Sequence, residues 1–358
     1  MASTTLSAPL RLGAASWLVP LRAVGATSVG FGVLCVLAVL DLALGDFEIP
    51  VADVLRTLAG GGDAGQQFIV LELRLPQTLV AVLVGAALGL AGALTQTFAR
   101  NPLASPDILG VTEGAAVGAV AVIVMSGASG YGGGLVSGSL ASMGVPVAAF
   151  LGGLLTATVL YVLSWRRGID DRRLILIGIG LSASLAAVTS WLLVRARIED
   201  AASAQVWLNG SLNARGWEHA TPLMWTLAVL VPVSLLLVRH LNALQLGDDA
   251  ARALGVRLQT TQLLVLVAAV GLASVAVAAV GPLAFVAFVV PQIALRLTGG
   301  SRPPMLASMV FGGCLVVGAD LVTRVLLPFA IPAGLVTSAI GAPYLIWLLV
   351  RTNRKASA

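Results

Sequence analysis

Lysine is nearly missing from this chain. One of its 358 residues is Lys, and that one, Lys355, lies at the C-terminal end. A phosphate-binding loop of the GxxxxGK(S/T) type needs a lysine in its turn, so ATP hydrolysis by that route is excluded. Histidine is scarce too. His219 and His240 flank one apolar run at opposite ends, and no HExxH pattern or Cys/His cluster occurs. A zinc site is not expected, and neither is any other resident metal or cofactor. The two cysteines, Cys35 and Cys314, each sit inside an apolar run. They read as small packing residues and not as a disulfide framework.

Charge is the next shortage. Charged residues make up 10% of the chain, against about 25% in a soluble domain. The net charge is +5. The arginines stand singly or in small groups between apolar runs and form no continuous basic face, which excludes a nucleic-acid partner. Inside the apolar runs the ionisable candidates are Glu113 and Asp320. Ion and proton pathways are built from such residues, so an ion-coupled secondary carrier is disfavoured as a reading from a different class. No grouping of His, Asp, Cys or Ser at catalytic spacing appears, so no residue is assigned a catalytic role.

What the chain does contain is apolar surface. Hydrophobic residues make up 58% of it and mean hydropathy is +0.99. A soluble globule of this length has too little interior for so much apolar area, whereas a bilayer removes the difficulty. The 40 glycines suit helices packed closely in lipid. Taking about 20 apolar residues per span, the candidates are 25–44, 78–98, 108–126, 143–165, 173–194, 222–239, 260–279, 281–297, 305–322 and 333–350. Glu113 interrupts the third and makes it the weakest. Gly281 and Pro282 alone separate the seventh from the eighth, which predicts a helical hairpin or a broken helix. The first run follows a long polar leader and reads as an uncleaved span, not a signal peptide.

Orientation follows from the basic residues. With the N-terminus inside, Arg56, Arg74, Arg195, Arg197, Arg215 and Arg324 fall outside, and the other fifteen Lys and Arg fall inside. That bias supports an even number of spans. The expected fold is an all-α membrane protein of about ten transmembrane helices with both termini cytoplasmic. It divides into a cytoplasmic N-terminal segment (1–24), a transmembrane domain (25–350) with a cytoplasmic connector (240–259), and a cytoplasmic tail (351–358).

Four segments carry more than hydropathy. Arg74-Leu75-Pro76-Gln77 leads into a run where Gly85 and Gly89 form a small-xxx-small pair. Next, Arg100-Asn101-Pro102-Leu103-Ala104-Ser105-Pro106-Asp107 places two prolines where a helix leaves the membrane, and Gly110, Gly114 and Gly118 line one face of the span that follows. Leu246-Gly247-Asp248-Asp249-Ala250-Ala251-Arg252-Ala253-Leu254-Gly255-Val256 predicts a short cytoplasmic helix, capped by Asp248 and ended by Gly255. It reads equally as a solvated connector or as a docking helix for a cytoplasmic partner. Lastly, Gly281-Pro282-Leu283-Ala284-Phe285 through Pro291-Gln292 places a proline inside an apolar run, which predicts a kink or a break lining a pathway.

Taken in order, these segments and the later GADLVTR and IPAGLVTSAIGAPYLIWLL stretches resemble the FecCD/BtuC-type permeases, from about residue 68 to 350. That family imports ferric siderophores, haem or vitamin B12 as part of ATP-binding-cassette importers. The resemblance implies the type II importer permease fold, in the inner (plasma) membrane of a bacterium. It implies a second permease subunit, two cytoplasmic ATPase subunits below and an extracytoplasmic substrate-binding protein above. Arg74 and Arg324 match arginines that pair with the binding protein. Gly247, Asp248, Ala250, Leu254, Gly255 and Val256 match the segment that contacts the ATPase. Asn101, Pro102, Leu103, Pro282, Pro291 and Gln292 match structural or pathway motifs.

Three positions depart from the common pattern: Gln77 in place of a second Arg, Gln292 in place of His, and Ala287 in place of Gly. The Pro291-Gln292 variant resembles one of the two subunit types of importers with unlike permeases. It implies a heterodimer with a sister permease of the Pro-His type, a homodimer being the alternative. It also favours ferric siderophore over haem or vitamin B12 as substrate.

Overall fold

The computed structural model describes residues 7–12, 15–45, 47–107, 109–126, 138–165, 171–325 and 331–356. Arg166 and Arg167, two of the arginines expected inside, lie outside the described residues.

Ten apolar helices account for all ten expected spans. They are α1 (Leu21–Ala43), α4 (Leu75–Phe98), α5 (Val111–Ser126), α6 (Gly138–Ser164), α7 (Asp171–Arg195), α9 (Trp217–Leu244), α11 (Leu258–Val280), α12 (Val286–Thr298), α13 (Met305–Val325) and α14 (Ala333–Ala356). Seven are long enough to cross a bilayer outright, while α5, α12 and the apolar part of α14 are shorter. α14 runs on past its apolar part to Ala356.

The polar connections hold structure of their own. Between the spans lie α2 (Val51–Leu58), α3 (Ala64–Gln67) and α8 (Ile198–Leu208), in connections expected outside, and α10 (Asp248–Ala253), in one expected inside. A π-helical stretch, Phe68–Arg74, joins α3 to α4, so the helix is unbroken from Ala64 to Phe98. The N-terminal segment forms a small antiparallel hairpin, β1 (Ser7–Leu12) on β2 (Ala15–Pro20), pairing Ser7 with Pro20 and Leu12 with Ala15. Backbone outside the helical spans pairs with itself there.

The bundle is built around α4 and α11, which are buried along most of their length. In lipid no hydrophobic difference drives helices together, so close backbone approach does. A Cβ on Gly85 would overlap the backbone of Gly312, one on Gly312 would overlap Gly85, and one on Gly89 would overlap the Ser308 carbonyl. The expected small-xxx-small pair on α4 is thus seated on α13. The second glycine row behaves likewise, with Gly114 against Gly152 and Thr156 of α6, and Gly118 against Ala148.

Candidate functional site

α4 ends at Phe98, yet α5 does not begin until Val111. The chain between them does not stay at the membrane face. A Cβ on Gly110 would lie 3.1 Å from Ser182 Oγ in the middle of α7. A Cβ on Gly153, midway along α6, would lie 3.3 Å from Val111 Cγ1 and 2.7 Å from Ser274 Oγ of α11. The start of α5 is therefore level with the middles of α6 and α7 and packs beside α11. Irregular backbone survives at membrane depth only when the protein itself satisfies it. Here Asn101 Oδ1 accepts from Leu103 N–H at 2.9 Å. Ala104 N–H donates to Asn101 O at 3.1 Å, and Gly110 N–H to Asp107 O at 2.9 Å. The Asp107 carboxylate accepts from the Thr112 hydroxyl at 2.5 Å.

A second break faces the first. α11 is ended by Gly281, at φ 79°, whose N–H donates to Val277 O at 2.8 Å. Irregular backbone then leads to Phe285, which caps α12 in the left-handed region at φ 66°. That region is costly for a bulky residue, by about 1–3 kcal/mol. Phe285 is held there against α14, where any Cβ on Gly341 would collide with its side chain. α12 has 13 residues, which is about 20 Å of helix, against a hydrocarbon core of about 30 Å. The expected break at Gly281-Pro282 is therefore real. The two irregular segments border an open cavity of about 590 Å³, lined by Leu103, Asp107, Glu113, Pro282, Phe285 and Phe288 among others. Of the motif residues, Leu103 and Pro282 face this cavity, Asn101 shapes its turn, and Pro102 is exposed.

Pro291 and Gln292 lie on the side of α12 that packs on α4. Proline has no N–H, so the Ala287 carbonyl loses its helical donor. That carbonyl sits against Gly92, where a Cβ would overlap both it and the Pro291 ring. One residue on, Gln292 Nε2 donates to Gln96 Oε1 at 2.7 Å, and Gln96 Nε2 donates to Phe288 O at 2.9 Å, all buried. The Pro291 ring packs against α4 at Gly92. Gln96 was not singled out in the sequence, although a glutamine deep in an apolar run is itself a signal.

Arg74 and Arg324, expected to face a partner outside, turn inward. Arg74 is 8% exposed. It donates to Leu42 O at 2.7 Å, Ala43 O at 3.1 Å and Phe47 O at 2.5 Å, closing the C-terminal end of α1. Arg324 pairs with the buried carboxylates of Asp41 and, at 2.7 Å, Asp320. Thr78 donates to Asp41 at 2.5 Å, and Gln77 donates to Asp320 at 3.1 Å. Two arginines and two aspartates thus tie α1, α4 and α13 together at their outer ends. Asp320, expected in mid-span, lies little more than a turn from the end of α13. Glu113 is at mid-membrane depth but in the first turn of α5, where a carboxylate suits the helix dipole.

The expected short helix between the sixth and seventh spans forms as α10. Gly255, at φ 82°, ends it, with Gly255 N–H donating to Arg252 O at 2.9 Å and Val256 N–H to Ala251 O at 3.0 Å. Its N-cap is Gly247, at φ 105°, and not Asp248, whose side chain lies outside the described set. Ala250 is exposed and Val256 half-buried. Leu246 and Leu254 stand at 68% and 64% exposure, leaving an apolar pair beside α10 without cover.

Comparison with known proteins adds to this geometry. The model of the FecCD transport family matches residues 33–351. The ferric enterobactin transport system permease protein FepG of Escherichia coli (strain K12) is 38% identical over 323 residues, covering 90% of this chain and 94% of FepG. FepD, a permease protein of the same named system and organism, is 35% identical over 326 residues, covering 90% of this chain and 93% of FepD. A solved inward-facing metal-chelate type ABC transporter superposes with a TM-score of 0.79 at 29% identity, over 93% of this chain and 100% of the other.

Proposed function

This chain belongs to the FecCD transport family, and from that premise we infer that it is the membrane-spanning permease of an ATP-driven importer of ferric siderophores. The observation that carries this reading is the match of family and fold over nearly the whole chain, to relatives whose names specify ferric enterobactin and metal-chelate transport. The paired breaks at membrane depth support it, because discontinuous segments lining a cavity are a common architecture of substrate sites in transporters.

The remaining roles are proposals on that base. The chain pairs with a sister permease in the bacterial inner membrane, as two permease proteins carry the name of one system in Escherichia coli. Two ATPase subunits bind inside and a substrate-binding protein binds outside, so ATP is hydrolysed by another chain. Gly247 to Val256 dock on the ATPase, with the exposed Leu254 as the apolar contact. Residues 1–24 and 351–358 stay on the cytoplasmic side of the domain spanning 25–350. Arg74 and Arg324 serve the outer docking face by fixing the helix ends that form it, Arg74 through the carbonyls of Leu42, Ala43 and Phe47 and Arg324 through Asp41 and Asp320. The cavity beside Phe285 and Phe288 belongs to the path that opens to each side in turn.

The deciding experiment is uptake of radiolabelled ferric siderophores, haem and vitamin B12 by cells lacking only this gene and by complemented cells. Loss of one ferric siderophore class is expected. Loss of haem or vitamin B12 uptake with siderophore uptake intact would keep the family and overturn the substrate. The coupling role is tested by Leu254→Glu. Transport should fall at least tenfold and the ATPase should no longer copurify, while the permease stays in the membrane at normal abundance. Normal transport with normal copurification would show that α10 is only a connector.

A further inference from the structure

A second cavity, of about 460 Å³, opens between α1, α9 and α13 at the inner membrane face. It is separate from the cavity at the helix breaks and shares no lining residue with it. Its walls are apolar, with Val24 of α1, Leu235 and Val238 of α9, and Met305 and Leu306 of α13. Val24, Leu235 and Leu306 are 48%, 39% and 54% exposed, so the groove is open toward the surrounding hydrocarbon.

Two polar groups in it have no partner among the described residues. Thr97, near the inner end of α4, is 3% exposed, and its hydroxyl has no hydrogen-bond partner among the described residues. Thr95, two residues earlier, does bond back to the Ala91 carbonyl at 2.7 Å. The orphaned hydroxyl is thus a local exception, and a buried hydroxyl without a partner is costly. The other group is Arg302, in the connection between α12 and α13. It is half-buried and has no ion-pair or hydrogen-bond partner among the described residues. Burial pushes its guanidinium below the ordinary value, with no neighbouring acid to offset that.

We propose that this groove binds one anionic phospholipid of the inner leaflet. Its phosphate lies on Arg302, an oxygen of its headgroup or glycerol ester accepts from Thr97, and an acyl chain lies along Val24, Leu235 and Leu306. The chemistry fits in order of depth. A guanidinium at the membrane face recognises phosphate through two parallel N–H donors. Basic pockets between spans on the cytoplasmic side are the recurrent form of such sites. The groove holds apolar wall and a cation together, which suits an amphiphile better than free phosphate.

The full permease, purified with its partner subunits in mild detergent, is analysed by native mass spectrometry after exchange into phosphatidylglycerol or phosphatidylcholine. One retained phosphatidylglycerol per copy of this chain is expected, with phosphatidylcholine retained at least tenfold less. Arg302→Gln should abolish the preference, and Thr97→Val should weaken retention several-fold while leaving the headgroup preference in place. Should Arg302→Gln fail to assemble, Arg302→Lys serves, with reduced but surviving preference. Equal retention of both lipids, retention unaffected by either substitution, or cross-linking of position 302 to an ATPase subunit with no lipid bound would overturn the proposal.

Discussion

Replacing Gly85 by valine should remove the folded protein from the membrane. The added atoms would have to enter the backbone of Gly312, which lies where the Cβ would go. A backbone cannot swing aside as a side chain tip does, so α4 and α13 would have to separate. Overpacking of a core usually costs about 1–3 kcal/mol, and contacts against backbone belong at the upper end or beyond. That is a large share of a stability of about 5–15 kcal/mol. Gly318, on the same partner helix, is the matched control. Nothing lies within 4 Å of a Cβ there, so Gly318→Ala should be neutral, or stabilising by up to about 1 kcal/mol through helix propensity. Abundance and thermal stability of the two variants in detergent decide the matter. A Gly85→Val protein as abundant and stable as the parent would mean that the α4–α13 contact is looser than described.

The second large effect is expected at Arg324. Its replacement by alanine leaves the carboxylates of Asp41 and Asp320, 0% and 1% exposed, without their common cation. Removing one partner of a buried ion pair typically costs about 3–5 kcal/mol, because the orphaned charge stays desolvated. A triple variant, Arg324→Met with Asp41→Asn and Asp320→Asn, removes the charges together and should recover most of that loss. This separates a structural role from a docking one. If the triple variant is stable and transports, Arg324 serves the fold. If it is stable yet binding protein no longer docks, the guanidinium also acts outward. Failure of the triple variant to regain stability would show that the Asp41–Arg324–Asp320 arrangement is not the origin of the loss.

The ten spans were legible because long apolar runs leave few alternatives once lipid is the solvent. The breaks were legible too, since Pro102, Pro106 and Pro282 disfavour regular helix where they stand, and Gly281 takes the positive φ that ends α11. Depth was not. Nothing local says that the 99–110 segment climbs back into the bundle, because that is decided by contacts with α6, α7 and α11. Side-chain direction was equally hidden. Whether an arginine at a helix end, such as Arg74 or Arg324, faces outward or closes a neighbouring helix depends on partners far along the chain. Asp41 and Arg324 are separated by 283 positions, and Gln96 and Gln292 by 196. An aspartate near the end of the first apolar run was visible, and only its partner gave it a meaning.

The left-handed Phe285 ties two movements into one. Its side chain fills the space that Gly341 leaves on α14, and its backbone would relax by about 1–3 kcal/mol on returning to an ordinary conformation. Were α14 to withdraw, that contact would be lost and the start of α12 would be free to relax. Phe285 also lines the cavity at the helix breaks, so its wall would move with any such change.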